Sequence, residues 1–254
     1  APVDGSGLDP DGIEAGCDYV FTTPSHHCPT TVSMPLERRK ALLDRAVADD
    51  FVLIEDDYDS QLLDDAEPLP ALKSLDDAGR VIYVSSLSKT LAPGLRLGYI
   101  VADPSVLREL RGLRRMMLRH PPANNQRAVA LFLSLGHHDA LVRRLTQAFT
   151  RRRQTLISAL QDHLPIFAIT SDHCGTALWL EGPAGMDLVA LSKNARERGV
   201  LVERGDVFFA ADPKPKNVMR LGISSIAEDK IEPGIKELAK MAGEVTARPL
   251  ELAG

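Results

Sequence analysis

The chain has 254 residues, of which 44% are hydrophobic and 26% are charged, an ordinary composition for a globular protein. Thirty basic residues against thirty-five acidic ones give a formal net charge of -5, so no overall positive field favours nucleic acid or an anionic membrane as a partner. The three cysteines form no CxxC pair, which argues against a disulfide framework and favours the reducing cytoplasm. The sequence has no apolar segment of the roughly 18 residues that a membrane span needs, and its first residues do not resemble a signal peptide.

Short apolar runs alternate with amphipathic stretches in the first half of the chain, as in the βαβ units of a parallel sheet. Strands are predicted at 20–23, 51–54 and 81–84, and a crossover helix at 36–48 carries Arg38, Arg39 and Lys40 on its polar face. Further helices are predicted at 104–118, 124–135 and 139–162. Residues 1–16 lead into the first strand without a preceding hydrophobic element, which indicates a chain that begins inside a domain.

The second half predicts a smaller α+β domain. Strands are expected at 167–170, 177–180, 200–203 and 218–223, helices at 188–198 and 227–242, and a frayed tail after 247. We place the boundary near residue 138, which gives domains 1–138 and 139–254. The helix at 139–162 carries arginines that could form a nucleic-acid patch, but an opposing apolar stripe favours a solvated, salt-bridged face. These arginines are Arg143, Arg144, Arg151, Arg152 and Arg153.

Polar and reactive side chains follow each of the three predicted parallel strands. The first strand is followed by Ser-His-His-Cys-Pro at 25–29, the second by Glu-Asp-Asp-Tyr-Asp at 55–59, and the third by Ser-Ser-Leu-Ser-Lys at 85–89. Ligands of a parallel sheet bind beyond the carboxyl ends of its strands. The sequence therefore predicts a binding site at this edge, since core packing does not explain such a convergence.

The segment after the third strand suits a phosphate and an aldehyde. Ser86 and Ser88 offer neutral donors and Arg96 offers a bidentate guanidinium, which a Pro-Gly turn would direct back at the same anion. Lys89 lies between these donors, and a deprotonated lysine amine forms an imine with an aldehyde. An isolated Ser-x-Ser-Lys would be better interpreted as an exposed loop, but the Pro-Gly-x-Arg-x-Gly continuation favours a site.

Together these motifs resemble the aminotransferase-like domain of MocR-type regulators, a GntR subfamily related to class I aminotransferases. The resemblance runs from about residue 4 to 241 and rests on the segments 54–59, 86–98 and 219–222. It implies an α/β architecture, the PLP-dependent transferase fold type I. That fold has a mostly parallel large domain, here incomplete at its N-terminus, and a smaller C-terminal α+β domain. The implied cofactor is pyridoxal 5'-phosphate (PLP).

The resemblance also implies roles for individual residues. Lys89 would be the Schiff-base lysine, Asp56 would pair with the pyridine nitrogen, and Tyr58 would bond the ring phenolate. Arg220 would take the carboxylate of a substrate or effector. The separation between acid and lysine favours Asp56 over Asp57, which is the fallback. The side chains expected at the cofactor phosphate are Ser86, Ser88 and Arg96.

Structural explanations compete with two of these roles. The acidic block could be a calcium site or a strand-end turn, although it lacks the 12-residue EF-hand loop. Arg220 lies in an apolar, strand-like context, where a structural salt bridge would also satisfy it. The Asn-Pro-x-Gly turn of related aminotransferases is replaced by Cys-Pro-Thr-Thr at 28–31, which puts a bond from Cys28 to the ring in doubt. His26 and His27 could lie beside the cofactor or bond locally, and no metal site is expected because these histidines lack ligand spacing.

Two classes of function remain. In the first, the chain is the effector-sensing module of a transcription regulator, which binds an amino compound as an external aldimine, forms a homodimer, and contacts DNA only through an N-terminal domain outside this chain. In the second, it is part of an active aminotransferase acting on an amino acid and a 2-oxo acid. An α/β fold without a cofactor would require the motifs around Lys89 to be coincidental.

Overall fold

The computed structural model describes residues 1–63, 69–170 and 175–246. The chain divides into two compact units: Ala1–Cys28 with Val32–Thr146, and Pro29–Thr31 with the residues from Gln147 onward. The expected domain boundary near residue 138 stays a prediction. The expected frayed tail, like Cys174, lies outside the described residues. Among the described helices, none is long and apolar enough to cross a membrane.

The first unit is built on a four-stranded sheet with helices in the connections. Its order is β3-β4-β5-β6, with β3, β4 and β5 parallel and β6 antiparallel to β5. The strands are β1 (Val3–Asp4), β2 (Gly7–Leu8), β3 (Tyr19–Thr22), β4 (Val52–Asp57), β5 (Val81–Ser86) and β6 (Gly98–Val101). The helices are α1 (Leu36–Ala48), α2 (Leu72–Leu75), α3 (Pro104–Met117), α4 (Ala123–Ser134) and the start of α5 (His137–His163).

Apolar side chains of α1 pack against one face of this sheet. Leu42 and Ala46, one turn apart on the helix, and Leu53 on β4 are fully buried. Burial of each such leucine contributes roughly 1.5–3 kcal/mol. The predicted crossover helix at 36–48 is therefore confirmed, and it covers one side of the strands that carry the predicted site.

Arg39 does not lie on the polar face of α1, as the sequence predicted. Its side chain is fully buried and donates to three backbone carbonyls, those of Met34 at 2.9 Å, Pro70 at 2.9 Å and Pro24 at 3.0 Å. The prediction is wrong because Arg39 shares the helix face of Leu42 and Ala46, and the loops around it supply enough acceptors. Arg39 thereby ties the loop after β3 to the segment before α2.

Two predicted strands are longer than expected. The acidic block at 55–59 was placed after its strand, but β4 continues to Asp57, and β5 continues to Ser86. Parallel pairing explains the extension, since Asp56 pairs with Val84 and Asp57 with Ser85. Strand alternation then decides which way each acid faces.

The second unit has an antiparallel sheet of order β7-β8-β10-β9. Its strands are β7 (Ala168–Ile169), β8 (Ala177–Glu181), β9 (Glu203–Arg204) and β10 (Val218–Gly222). Its helices are the remainder of α5, α6 (Leu188–Glu197) and α7 (Ile231–Thr246). Leu178, Leu191 and Leu238 are fully buried in its core. Arg153 on α5 is only 7% exposed, so its predicted solvated position is wrong; it follows Phe149 by four residues and lies on the apolar stripe.

Candidate functional site

Lys89 lies in a tight turn between β5 and β6. The antiparallel ladder of these strands continues beyond their ends through a hydrogen bond of 3.0 Å from Leu87 N to Leu97 O. A second bond, from Leu91 N to Leu87 O at 2.9 Å, closes one turn of chain around the lysine. These two hydrogen bonds hold Lys89 at the carboxyl end of β5, where it is exposed.

The three predicted phosphate ligands flank this turn. Ser88 follows Leu87 and Arg96 precedes Leu97, so both lie on the loop side of the Leu87–Leu97 bond, and the Ser88 amide donates to the Ser86 hydroxyl at 3.2 Å. Arg96 has a φ of 50°, which is uncommon for a residue other than glycine. It follows the single helical turn Pro93–Leu95, which reverses the chain. The sequence therefore brings two hydroxyls and a guanidinium to the loop of Lys89, although their contact with a phosphate stays a prediction.

Glu55 and Asp57 face the covered side of the sheet and have structural partners. Glu55 is fully buried and accepts hydrogen bonds from the backbone amides of Leu72 at 2.8 Å and Lys73 at 2.9 Å. Burial raises the pKa of Glu55 although these amides act in the opposite direction. Asp57 accepts a hydrogen bond of 2.6 Å from the Tyr83 hydroxyl. Burial and this hydrogen bond raise the pKa of Tyr83 far above its usual value.

Asp56 lies on the opposite face of β4. It is exposed, and within the described part of the chain its carboxylate has no hydrogen bond or ion pair. Its pKa is raised, first by partial burial and then by repulsion from the carboxylates of Asp57 and Asp59. An N–H donor or a cation brought to this carboxylate would offset both effects. Asp56 is therefore the acid of the block that is available to a ligand, which supports its choice over Asp57.

Tyr58 lies beside a buried pair that the sequence did not predict. The His26 ring nitrogen Nδ1 is 2.7 Å from Asp59 Oδ2 and 3.1 Å from the Tyr58 hydroxyl. The Tyr58 hydroxyl also donates to the His26 carbonyl at 3.1 Å. His26 and Asp59 are 33 residues apart and meet because β3 and β4 are parallel neighbours. Within the described residues no group of three or more His, Cys, Asp or Glu could hold a metal ion.

Comparisons with known proteins identify the family of this chain. Residues 3–238 match the family described as aminotransferase class I and II. The chain belongs to the class I and II aminotransferase family. It is 44% identical over 238 residues to the HTH-type transcriptional regulator TauR of Rhodobacter capsulatus, which covers 94% of this chain and 49% of that protein. The chain thus spans about half the length of the curated relatives that it matches.

Solved structures of aminotransferases show the same fold. The kynurenine aminotransferase of Pyrococcus horikoshii, in complex with PMP, superposes with a TM-score of 0.84 at 32% identity, covering 89% of this chain and 56% of that one. The α-aminoadipate aminotransferase LysN of Thermus thermophilus, complexed with N-(5'-phosphopyridoxyl)-L-leucine, superposes with a TM-score of 0.90 at 28% identity, covering 97% of this chain and 65% of that one. These findings confirm the expected α/β fold of the PLP-dependent type I class.

Family membership identifies PLP as the cofactor, and the residues of the first unit fit it. The loop around Lys89 offers phosphate donors and an exposed amine, and Asp56 offers a carboxylate without a protein partner among the described residues. Cys28, in the place of the family asparagine, is exposed, and its amide donates to the Thr23 hydroxyl at 3.1 Å. The side chains predicted to contact the cofactor come from the ends of β4 and β5 and the loops that follow them.

Arg220 belongs to the second unit. It lies on β10, opposite Trp179 of β8 and Glu203 of β9. Its Nη1 forms an ion pair of 2.9 Å with Glu203 Oε2, the salt bridge that the sequence offered as an alternative. Arg220 also lines an open pocket of about 740 Å³ with Lys193 and Arg196. The pocket is rich in cationic groups, which supports an anionic ligand, while the role of Arg220 as the carboxylate ligand stays a prediction.

Proposed function

We propose that this chain is the PLP-binding, effector-sensing module of a MocR-type transcription regulator. The observation that carries the proposal is the division of the acidic block at 55–59. The carboxylates of Glu55, Asp57 and Asp59 each have a hydrogen-bond partner in the protein. Among the described residues, the Asp56 carboxylate alone of the four has none, and it lies at the edge of the sheet where Lys89 lies. The similarity to TauR supports the regulator over an enzyme.

Each residue of the site has a defined task in this proposal. Lys89 attaches the cofactor through its amine, and Ser86, Ser88 and Arg96 bind its phosphate. Asp56 keeps the proton on the pyridine nitrogen, and Tyr58 donates its hydroxyl proton to the ring oxygen. When bound, PLP supplies an electron sink for charge that develops at the Cα of an amino compound. Arg220 takes the anionic group of that compound.

The proposal extends to a homodimer in the cytoplasm that contacts DNA through a domain outside this chain. A run of apolar side chains on and after α3 supports an interface, since Met116, Met117 and Leu118 are 78%, 77% and 73% exposed. Exposed apolar groups clustered in this way mark contact surfaces. DNA contact outside this chain is supported by the similarity to TauR, an HTH-type regulator of which this chain covers 49%, while the net charge of -5 does not favour DNA contact by this chain itself.

A first experiment tests the cofactor and its attachment. The intact protein is titrated with PLP, reduced with borohydride and digested, and we expect the modified peptide to contain Lys89. Lys89→Ala should abolish the trapped adduct, whereas the control Lys40→Ala, on the exposed face of α1, should not change it. A modified peptide that carries another lysine would overturn the assignment.

A second candidate, an active aminotransferase, is favoured by the similarity to the enzyme from Pyrococcus horikoshii. In that case Lys89 Nζ would move the proton from the substrate Cα. The PLP-loaded protein is mixed with a panel of amino acids and ω-amino acids, and the spectrum and the released 2-oxo acid are both measured. A spectral response without release of 2-oxo acid supports the sensor, and multiple turnovers with any member of the panel support the enzyme.

A further inference from the structure

The buried contacts behind Tyr58 form a connected set of three side chains. The side chains of His26 and Asp59 are 0% and 1% exposed, and Nδ1 of the histidine is 2.7 Å from Oδ2 of the acid. The Tyr58 hydroxyl lies 3.1 Å from the same nitrogen. Tyr58 is half-buried, so it connects this pair to the accessible edge of the sheet.

The donors and acceptors in this set can be assigned from their chemistry. An ionised carboxylate only accepts hydrogen bonds, so His26 Nδ1 carries the proton that points to Asp59. The Tyr58 hydroxyl donates to the His26 carbonyl, which leaves its oxygen able to accept from Nδ1–H. The other ring nitrogen, Nε2, is buried without a hydrogen-bond partner among the described residues. Nδ1 is therefore the atom through which the ring acts on Tyr58.

We infer that Asp59 and His26 are positioning residues that hold Tyr58 as a hydrogen-bond donor to the cofactor. Asp59 fixes the histidine tautomer with the proton on Nδ1. This one N–H is shared between Asp59 Oδ2 and the Tyr58 oxygen, and it supports that oxygen when the tyrosine proton turns from the His26 carbonyl to the ring oxygen of PLP. A hydroxyl that accepts one hydrogen bond donates another more strongly. The inference rests on the proposed function, because it requires Tyr58 to contact the cofactor.

Two variants of His26 separate positioning from simple packing. Asparagine places an amide N–H near the position of Nδ1, and glutamine places its amide near Nε2. Because Nε2 has no partner among the described residues, His26→Asn should keep the contacts to Asp59 and Tyr58. His26→Gln should lose them, although both replacements are polar and similar in size. Packing alone would make the smaller asparagine the more damaging change.

Asp59→Asn provides a test that does not depend on filling the histidine site. The asparagine amide can donate to Nδ1, which moves the ring proton to Nε2. Nδ1 then has no proton to donate to the Tyr58 oxygen, so the hydrogen bond that supports Tyr58 as a donor to the cofactor is lost. The histidine tautomer can be measured by ¹⁵N NMR of the intact protein without PLP, where we expect the Nδ1–H form in the unsubstituted protein and the Nε2–H form in Asp59→Asn.

The effect on the cofactor is measured by PLP affinity and by the visible spectrum of the bound cofactor in the intact protein. We expect His26→Gln and Asp59→Asn to weaken PLP binding about 3- to 10-fold and to shift the spectrum in the same direction as Tyr58→Phe, because part of one charge-assisted hydrogen bond is lost. His26→Asn should match the unsubstituted protein.

The outcomes separate this inference from the proposed function. If the unsubstituted protein does not bind PLP, the proposed function fails and the inference fails with it. If PLP binds and Tyr58→Phe changes the spectrum while His26→Gln and Asp59→Asn do not, the positioning role alone is overturned. A His26→Gln protein that does not fold leaves Asp59→Asn to decide, through both its tautomer and its spectrum.

Discussion

Asp57→Asn should destabilise the cofactor-free protein, whereas Asp56→Asn should not. Asp57 is 6% exposed and accepts hydrogen bonds from the Ser60 amide at 3.3 Å, the Ser60 hydroxyl at 2.7 Å and the Tyr83 hydroxyl at 2.6 Å. Asparagine keeps one side-chain oxygen and places an NH₂ group against these donors. Because a hydrogen bond to a charged group is worth roughly 1.5–3 kcal/mol, the free energy of unfolding should fall by about 2–4 kcal/mol.

Asp56→Asn, in contrast, should not lower the free energy of unfolding. Its pKa is raised in the folded protein, so the folded state binds this proton more tightly than the unfolded state does. The free energy of unfolding therefore falls as the pH rises from the ordinary Asp value through the raised pKa. Asp56→Asn removes this loss, and the stability of the cofactor-free protein at neutral pH should stay the same or rise slightly.

Urea denaturation of the intact protein, with and without saturating PLP, measures both effects. A ligand that binds the folded state raises the urea midpoint by an amount that grows with its affinity. PLP should therefore raise the midpoint of Asp57→Asn almost as much as that of the unsubstituted protein, and that of Asp56→Asn much less. The reasoning is refuted if Asp56→Asn lowers the midpoint of the cofactor-free protein as much as Asp57→Asn does, or if PLP stabilises both variants equally.

Three further changes test the surroundings of the site. Glu55→Gln should lower the free energy of unfolding by about 1–3 kcal/mol, because a glutamine amide can keep only one of the two backbone hydrogen bonds; urea denaturation would show no change if α2 did not depend on this carboxylate. Arg39→Met should lower the free energy of unfolding by about 3–5 kcal/mol, since it removes the three hydrogen bonds of a buried guanidinium, and an unchanged melting temperature would contradict this. Arg96→Lys should weaken PLP binding about tenfold or more, because a point charge does not reproduce the planar fork; equal affinity would place Arg96 outside the phosphate site.

Much of the fold could be predicted from local patterns. The helix at 36–48 was predicted with the bounds it has, because its apolar spacing is visible in the sequence. The strand β6 was not predicted. It is four residues long and exposed throughout, so it carries no burial pattern, and it forms because the loop of Lys89 returns the chain beside β5. Pairing of this kind depends on the loop and not on the strand.

The predicted solvated positions of two buried arginines were wrong for a reason that is visible in the sequence. Arg39 lies three residues before Leu42 and seven before Ala46, and Arg153 follows Phe149 by four. Each therefore lies on the apolar side of its helix by spacing alone. Both arginines were predicted to be solvated because they are charged, although their helical spacing places them on the apolar side. A guanidinium with carbonyl acceptors can be buried, as Arg39 is. The contact of His26 with Asp59 could not be predicted from sequence spacing in this way. The conformations of the loops after β3 and β4 determine which side chains meet there.

The acidic block shows how the alternation of side chains along a strand separates one acid of a motif from its neighbours. Side chains alternate along β4, so Glu55 and Asp57 share the face that α1 and α2 cover, while Asp56 takes the other face. The covered face buries its acids, and each is held there by donors from α2 or β5. Asp56, on the face opposite to Glu55 and Asp57, is the acid of this strand that remains accessible at the end of the sheet. This alternation was available from the sequence once the strand was known to continue through residue 57, and it selects Asp56 without reference to any relative.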